Sequence, residues 1–113
     1  MYPSGQWEGF WQQVGWGRQP MTQFTLNFAG GKVTGRGRDV VGRFTYAGEY
    51  DEGTGRVVMI KTYSTHRVIY VGQPDGEGCI QGTWTIEGYD TGPFLLRPVV
   101  QKPRGDEPIQ EIG

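Results

Sequence analysis

Turn-forming clusters cut this chain into short alternating segments, and none of the connections between them is long enough to carry a crossover. The clearest segment is Thr22 to Phe28, where Phe24, Leu26 and Phe28 alternate with Gln23, Thr25 and Asn27 before a Gly30-Gly31 turn. That alternation has the two-residue period of a strand with one buried face, and a glycine pair is a standard two-residue hairpin turn. Lys32 to Arg38 is then expected to pair back. Further strands are expected at Trp7 to Gly15, Val41 to Tyr50, Arg56 to Tyr63, His66 to Gly72, Cys79 to Glu87 and Pro93 to Arg97. The turns between them are rich in Gly, Asp and Pro, as in Asp51 to Gly55, Pro74 to Gly78 and Gly88 to Pro93. No window shows the three-to-four residue periodicity of a helix.

Eight strands joined in series by short turns form an antiparallel meander, which has two exposed edges unless it closes. The expected fold is therefore all-β: an up-and-down antiparallel barrel of about eight strands over residues 1–98, its interior packed or holding one small ligand. Residues 99–113 are polar and interrupted by Pro103 and Pro108, and read as a flexible, disordered tail. Its Arg104-Gly105-Asp106 tripeptide matches an integrin-binding motif, which we read as chance.

Composition supports curvature over disorder. Glycine contributes 20 of the 113 residues, yet four Trp, six Tyr and five Phe are interleaved with it. A disordered chain carries far less aromatic surface. One unit, glycine with an aromatic at the second following position and glycine at the sixth, occurs at Gly9-Trp11-Gly15, Gly42-Phe44-Gly48 and Gly82-Trp84-Gly88. In a strand all three residues share a face, so gaps flank a large ring, which suits a tightly coiled sheet. Gly42, Gly48, Gly82 and Gly88 are therefore expected within or at the ends of strands, beside rings.

Gly9-Phe10-Trp11 in a first strand, followed by about seven antiparallel strands in about ninety residues, resembles the calycin-type barrels: the lipocalin, fatty-acid-binding and avidin groups. The resemblance covers residues 7–97 at the level of architecture and implies a ligand-sized cavity or an oligomer-forming outer wall. No functional residue is carried over from it.

The hairpin turning at Ser64-Thr65 sets Tyr63 opposite His66, Lys61 opposite Val68 and Met59 opposite Tyr70 on one face. Ile60 then faces Ile69, and Val58 faces Val71, on the other. The plainer arrangement fills the barrel with the aliphatic face and turns Lys61, Tyr63, His66 and Tyr70 outward to meet a partner. The reverse arrangement points the mixed face inward with Trp11, Tyr46 and Trp84, making a small polar and aromatic pocket and leaving the aliphatic stripe as a subunit interface. A change of one residue in register exchanges the two.

Chemistry beyond binding has little support. Cys79, His66 and Asp39 lie in different elements with no local catalytic signature, and one His with one Cys does not make a metal site. No cofactor is expected. Lys32, Arg36, Arg38 and Arg43 surround Gly35 and Gly37, but no helix follows to complete a phosphate cradle, and Asp39 is expected to bond its own turn or an arginine. The net charge of −1 offers no global attraction to nucleic acid or a membrane. The N-terminus carries no signal-like segment and no apolar run reaches the ~18 residues of a membrane span, so a soluble cytoplasmic protein is expected. The leading expectation is a non-enzymatic binding or protein-interaction module, able to self-associate. The alternative is a carrier of a small hydrophobic or aromatic molecule.

Overall fold

A computed structural model describes residues 1–99. It contains eight strands: β1 (Gly5–Gln13), β2 (Gly17–Ala29), β3 (Lys32–Asp39), β4 (Gly42–Tyr50), β5 (Val57–Tyr63), β6 (Arg67–Pro74), β7 (Ile80–Ile86) and β8 (Asp90–Pro98). Each is antiparallel to its neighbours, and β8 pairs with β1, so the meander closes into a barrel. Of the expected tail, only Val99 is described; its N–H donates to the Gln6 carbonyl at 2.9 Å. The Arg104 to Asp106 tripeptide lies outside the described residues.

Gly30 and Gly31 have φ of 58° and 81°, a pair of left-handed residues whose twist matches that of the strands they join. The β5–β6 hairpin turns where expected, with Lys61 opposite Val68, Met59 opposite Tyr70 and Ile60 opposite Ile69. Its faces are the reverse of the plainer arrangement. Met59, Lys61, Tyr63, Val68 and Tyr70 are buried, whereas Val58 and Ile60 are exposed and Ile69 and Val71 half-exposed on the outer wall.

The glycines explain the reversal. Gly35, Gly37, Gly48, Gly72 and Gly82 occupy inward register positions on β3, β4, β6 and β7, and a methyl group added to any of them would run into a neighbouring strand or side chain. At Gly48 and Gly82 the obstruction is a backbone carbonyl, of Val58 and Val71 respectively. Side-chain-free positions bring the strands close and leave the interior to be filled by long rings from the strands between. The aromatic face supplies that volume and Val or Ile does not.

The recurring glycine unit is only partly what its spacing suggested. Gly42 begins β4, and Gly48 and Gly82 lie within strands, but Gly88 sits in the β7–β8 turn at φ 74°. That turn is closed by the Tyr89 N–H on the Ile86 carbonyl, with Gly88 as its left-handed third residue. Rings approach other glycines: Phe44 at Gly37, Phe94 at Gly72 and Trp84 at Gly92.

The two ends of the barrel differ. At one, Tyr2 is folded under the barrel, its hydroxyl on the Gly55 carbonyl, and its ring joins Trp7, Phe28 and Tyr50 in an edge-on and tilted aromatic plug. Trp7 is completely buried and donates its indole N–H to the Pro3 carbonyl at 2.9 Å. The other end, formed by the β1–β2, β3–β4, β5–β6 and β7–β8 turns, is open.

Candidate functional site

Asp39, the last residue of β3, turns its carboxylate into the barrel below the open end. Oδ2 accepts from Lys61 Nζ at 2.7 Å, the Tyr63 hydroxyl at 2.6 Å and the Trp11 indole at 3.2 Å. Oδ1 accepts the Val41 N–H at 3.0 Å, which pins the β3–β4 turn. Asp39 therefore does bond its own turn, as expected, but its charged partner is the lysine of β5 and not an arginine.

Lys61 is 1% exposed, and the carboxylate it meets is equally closed to solvent. Its three protons all find acceptors: Asp39, the Tyr70 hydroxyl at 3.3 Å and the Met21 thioether at 3.2 Å. Rings enclose the remainder. The ammonium lies 4.3 Å from the Phe44 centroid and 5.0 Å from that of Tyr63. Tyr46, packed against Tyr70, completes the box and donates to Met21 Sδ at 3.7 Å.

Burial lowers the Lys61 pKa to about 8, with the Asp39 charge offsetting part of that fall. Burial also opposes ionisation of Asp39. The Lys61 ammonium and the bonds from Lys61, Tyr63 and Val41 outweigh it and hold the carboxyl below its ordinary value. The carboxylate thus gains from the pairing while the ammonium loses by its burial. Burial, then the adjacent carboxylate, raises the Tyr63 phenol, and burial raises Tyr46 and Tyr70, so all three remain neutral hydroxyls.

Above this cluster opens a recess of about 370 Å³. Trp11, Tyr63, Tyr70 and Trp84 form its walls with Val68 and Ile86, while Trp16, Val40, Val41, His66 and Tyr89 form its mouth. Trp84 is fixed by its indole N–H on the Gln12 carbonyl at 3.0 Å and stands edge-on to Trp11. The His66 ring stacks on Tyr63 at 4.9 Å, with Nδ1 2.8 Å from the Thr65 hydroxyl. Gln13 and Gln19 also line the recess, and no lining side chain is formally charged.

All seven residues singled out from sequence meet here or just beneath. Trp11, Tyr63, His66, Tyr70 and Trp84 line the recess; Lys61 and Tyr46 form its underlying polar and aromatic support. Sequence reasoning missed Trp16, Val40, Val41 and Tyr89. Their signal was present: each is a large apolar residue inside a turn, in Gly15-Trp16-Gly17, Asp39-Val40-Val41-Gly42 and Gly88-Tyr89-Asp90, where polar residues are usual. Cys79 precedes β7 at the plugged end, away from Asp39 and His66, so the three make no catalytic constellation. Among the described residues no cluster of His, Cys, Asp or Glu could hold a metal, and no helix is long and apolar enough to cross a membrane. No protein-family model and no curated protein matches the chain.

Proposed function

We propose that the protein is a binding protein that takes a small, flat, uncharged aromatic or apolar molecule end-on into the recess at the open end of its barrel. The observation that carries this reading is the recess itself. Its volume falls in the roughly 300–1,000 Å³ range of small-molecule sites, its walls are mainly rings, and a few polar atoms converge at its base and mouth. Tyr63 and Tyr70 are held by Asp39 and Lys61, so they offer a preorganised surface that loses little side-chain freedom when a ligand lands. The charges beneath are already satisfied by each other, which favours a neutral guest over an ionic one. The reading accords with the likeness to calycin-type barrels, which rests on architecture alone.

The test uses the neutral fluorophore N-phenyl-1-naphthylamine with the full chain. Saturable enhancement of its emission, with a matching change in tryptophan fluorescence, is expected. Ile86→Trp, which fills the recess from its wall, should abolish both while the far-ultraviolet circular dichroism persists. Absence of a saturable signal, or a signal unchanged in Ile86→Trp, refutes the reading.

A second reading, a protein contact, draws on the outer stripe of Val58, Ile60, Ile69 and Val71. Self-association in sedimentation equilibrium that is lost in Ile60→Asp would support it.

A further inference from the structure

The net charge of −1 conceals a segregation along the barrel axis. Among the described residues of the half nearer the open end, Lys61 and Asp39 cancel inside, leaving Arg18, Arg36, Arg38, Arg43 and Arg67 exposed against Glu87 and Asp90. The plugged half has the opposite excess. Glu8, Glu49, Asp51, Glu52, Asp75 and Glu77 there outnumber Lys32, Arg56 and Arg97, and two of these cations are engaged in the ion pairs Lys32–Glu49 and Arg97–Glu8.

Most of the strongly exposed apolar side chains also lie at the open end, with Met1, 70% exposed at the plugged end, the exception. Val14 and Trp16 on the β1–β2 turn are 91% and 72% exposed, Val40 on the β3–β4 turn 71%, and Tyr89 on the β7–β8 turn 77%. Val41 is exposed beside Val40. Turns ordinarily present polar residues to water, so three apolar hairpin tips at one end form a surface that gains free energy by leaving water.

We propose that the open end docks on an anionic lipid bilayer, with the hairpin tips entering the interfacial layer and Arg38, Arg43 and Arg67 reaching lipid phosphates. Trp and Tyr suit that layer because each pairs an apolar ring with a hydrogen-bonding group. Arginine suits the level just above it, since its apolar stem lies along the chain tails while the guanidinium stays among the phosphates. The order of the features along the axis, apolar tips first and cations behind, is that of a bilayer met end-on. Arg67, the first residue of β6, stands at the same rim as Arg38 and Arg43, and Arg36 lies one step deeper on β3. The cations are thus spread over β3, β4 and β6 around the end, which suits a flat anionic surface better than a groove that meets one side. Docked in this way, the recess mouth faces the lipid. The inference stands on the tips and the arginines, independently of whether the recess holds a ligand.

Sedimentation of the full chain with vesicles of phosphatidylcholine, with and without phosphatidylserine, tests it. Preferential partitioning to the serine-containing vesicles is expected, weakened by salt and accompanied by a blue shift in emission that Trp16→Phe removes. Arg38→Glu combined with Arg43→Glu should lower partitioning by roughly ten-fold or more. Val14→Ser combined with Val40→Ser should lower it comparably, with both melting temperatures unchanged because these side chains are exposed. Arg56→Glu, the same charge change at the plugged end, should leave partitioning as it is. No partitioning, equal partitioning to both compositions, insensitivity to both double variants, or retention on single-stranded DNA in preference to vesicles would each overturn the proposal.

Discussion

The two ends of this barrel are built from the same strands, yet one is finished and the other is not. At the plugged end the chain before β1 folds under the barrel, Tyr2 and Trp7 fill it, and the loops bond themselves: Asp51 Oδ1 accepts the N–H groups of Gly53 and Thr54, and Asp75 Oδ1 those of Glu77 and Cys79. At the open end no segment among the described residues covers the rings, and the turn tips carry Val14, Trp16, Val40 and Tyr89 into solvent. One end is thus sealed by its own side chains, while the other leaves its turn tips in contact with water.

A matched pair of substitutions tests that division most strongly. Trp7→Ala removes a fully buried ring from the plug, and a cost of about 3–5 kcal/mol in urea unfolding is expected. Trp16→Ala at the opposite end should stay within about 0.5 kcal/mol of the parent. Similar losses for both would mean that the open end contributes to the core and that the contrast is false.

The next effect belongs to the layer beneath the recess. Lys61→Met leaves the Asp39 carboxylate buried without its cation, and a loss of about 3 kcal/mol or more is expected. Adding Asp39→Asn should restore most of it, because the charge is then gone while an amide oxygen still accepts from Tyr63 and Trp11. If the double variant is as weak as the single one, the pair's role is packing and not charge compensation.

The legibility of the chain divides along the same line. Strand alternation and turn residues are local, and they announced the meander, its closure and the β5–β6 register. Which face of that hairpin points inward is not local. It depends on glycines of β3, β4, β6 and β7 narrowing the barrel, and on Asp39 arriving from a turn 22 positions before Lys61 to make burial of an ammonium tolerable. Read alone, Val58, Ile60, Ile69 and Val71 look like a core and Lys61 looks like a surface. The seven site residues could be collected from the mixed hairpin face and the glycine-flanked aromatics. Of the mouth only His66 came from that face; Trp16, Val40, Val41 and Tyr89 sit at turn tips, where periodicity says nothing and their apolar character in a turn is the sole signal.

The pH dependence of stability carries the signature of this layer. Lys61 keeps its proton up to about 10.5 in the unfolded chain but only to about 8 in the barrel. Between these values the unfolded chain binds more protons, so this group makes stability rise with pH. Tyr46, Tyr63 and Tyr70 act oppositely, since their folded pKa values are raised and the unfolded phenols ionise from about 10. The urea midpoint should therefore climb from about pH 8 and turn down above about pH 10, and Lys61→Met should remove the climb while keeping the fall. On the acid side Asp39 has a lowered pKa, so its contribution is complete above the ordinary carboxylate value and drains as pH drops through the folded one.

The smallest test returns to the ends with one hydrogen-bonding side chain from each. The Ser4 hydroxyl accepts the Phe28 N–H at 2.9 Å and reaches the Phe28 carbonyl at 3.3 Å, tying the segment before β1 across to β2. Gln19 donates to the Trp16 carbonyl at 2.9 Å within the open-end turn. Both sites are at least partly wet, so water can replace the lost bond and each change alone is modest. The difference lies in what each bond holds in place. Ser4 keeps the N-terminal segment under the barrel, and with it Tyr2 against Trp7, so Ser4→Ala should cost about 1 kcal/mol and speed amide exchange at Phe28. Gln19 holds only its own turn, and Gln19→Ala should move the unfolding midpoint by less than its error while speeding exchange only around Trp16. Equal global costs for the two would show that both ends are sealed to the same degree.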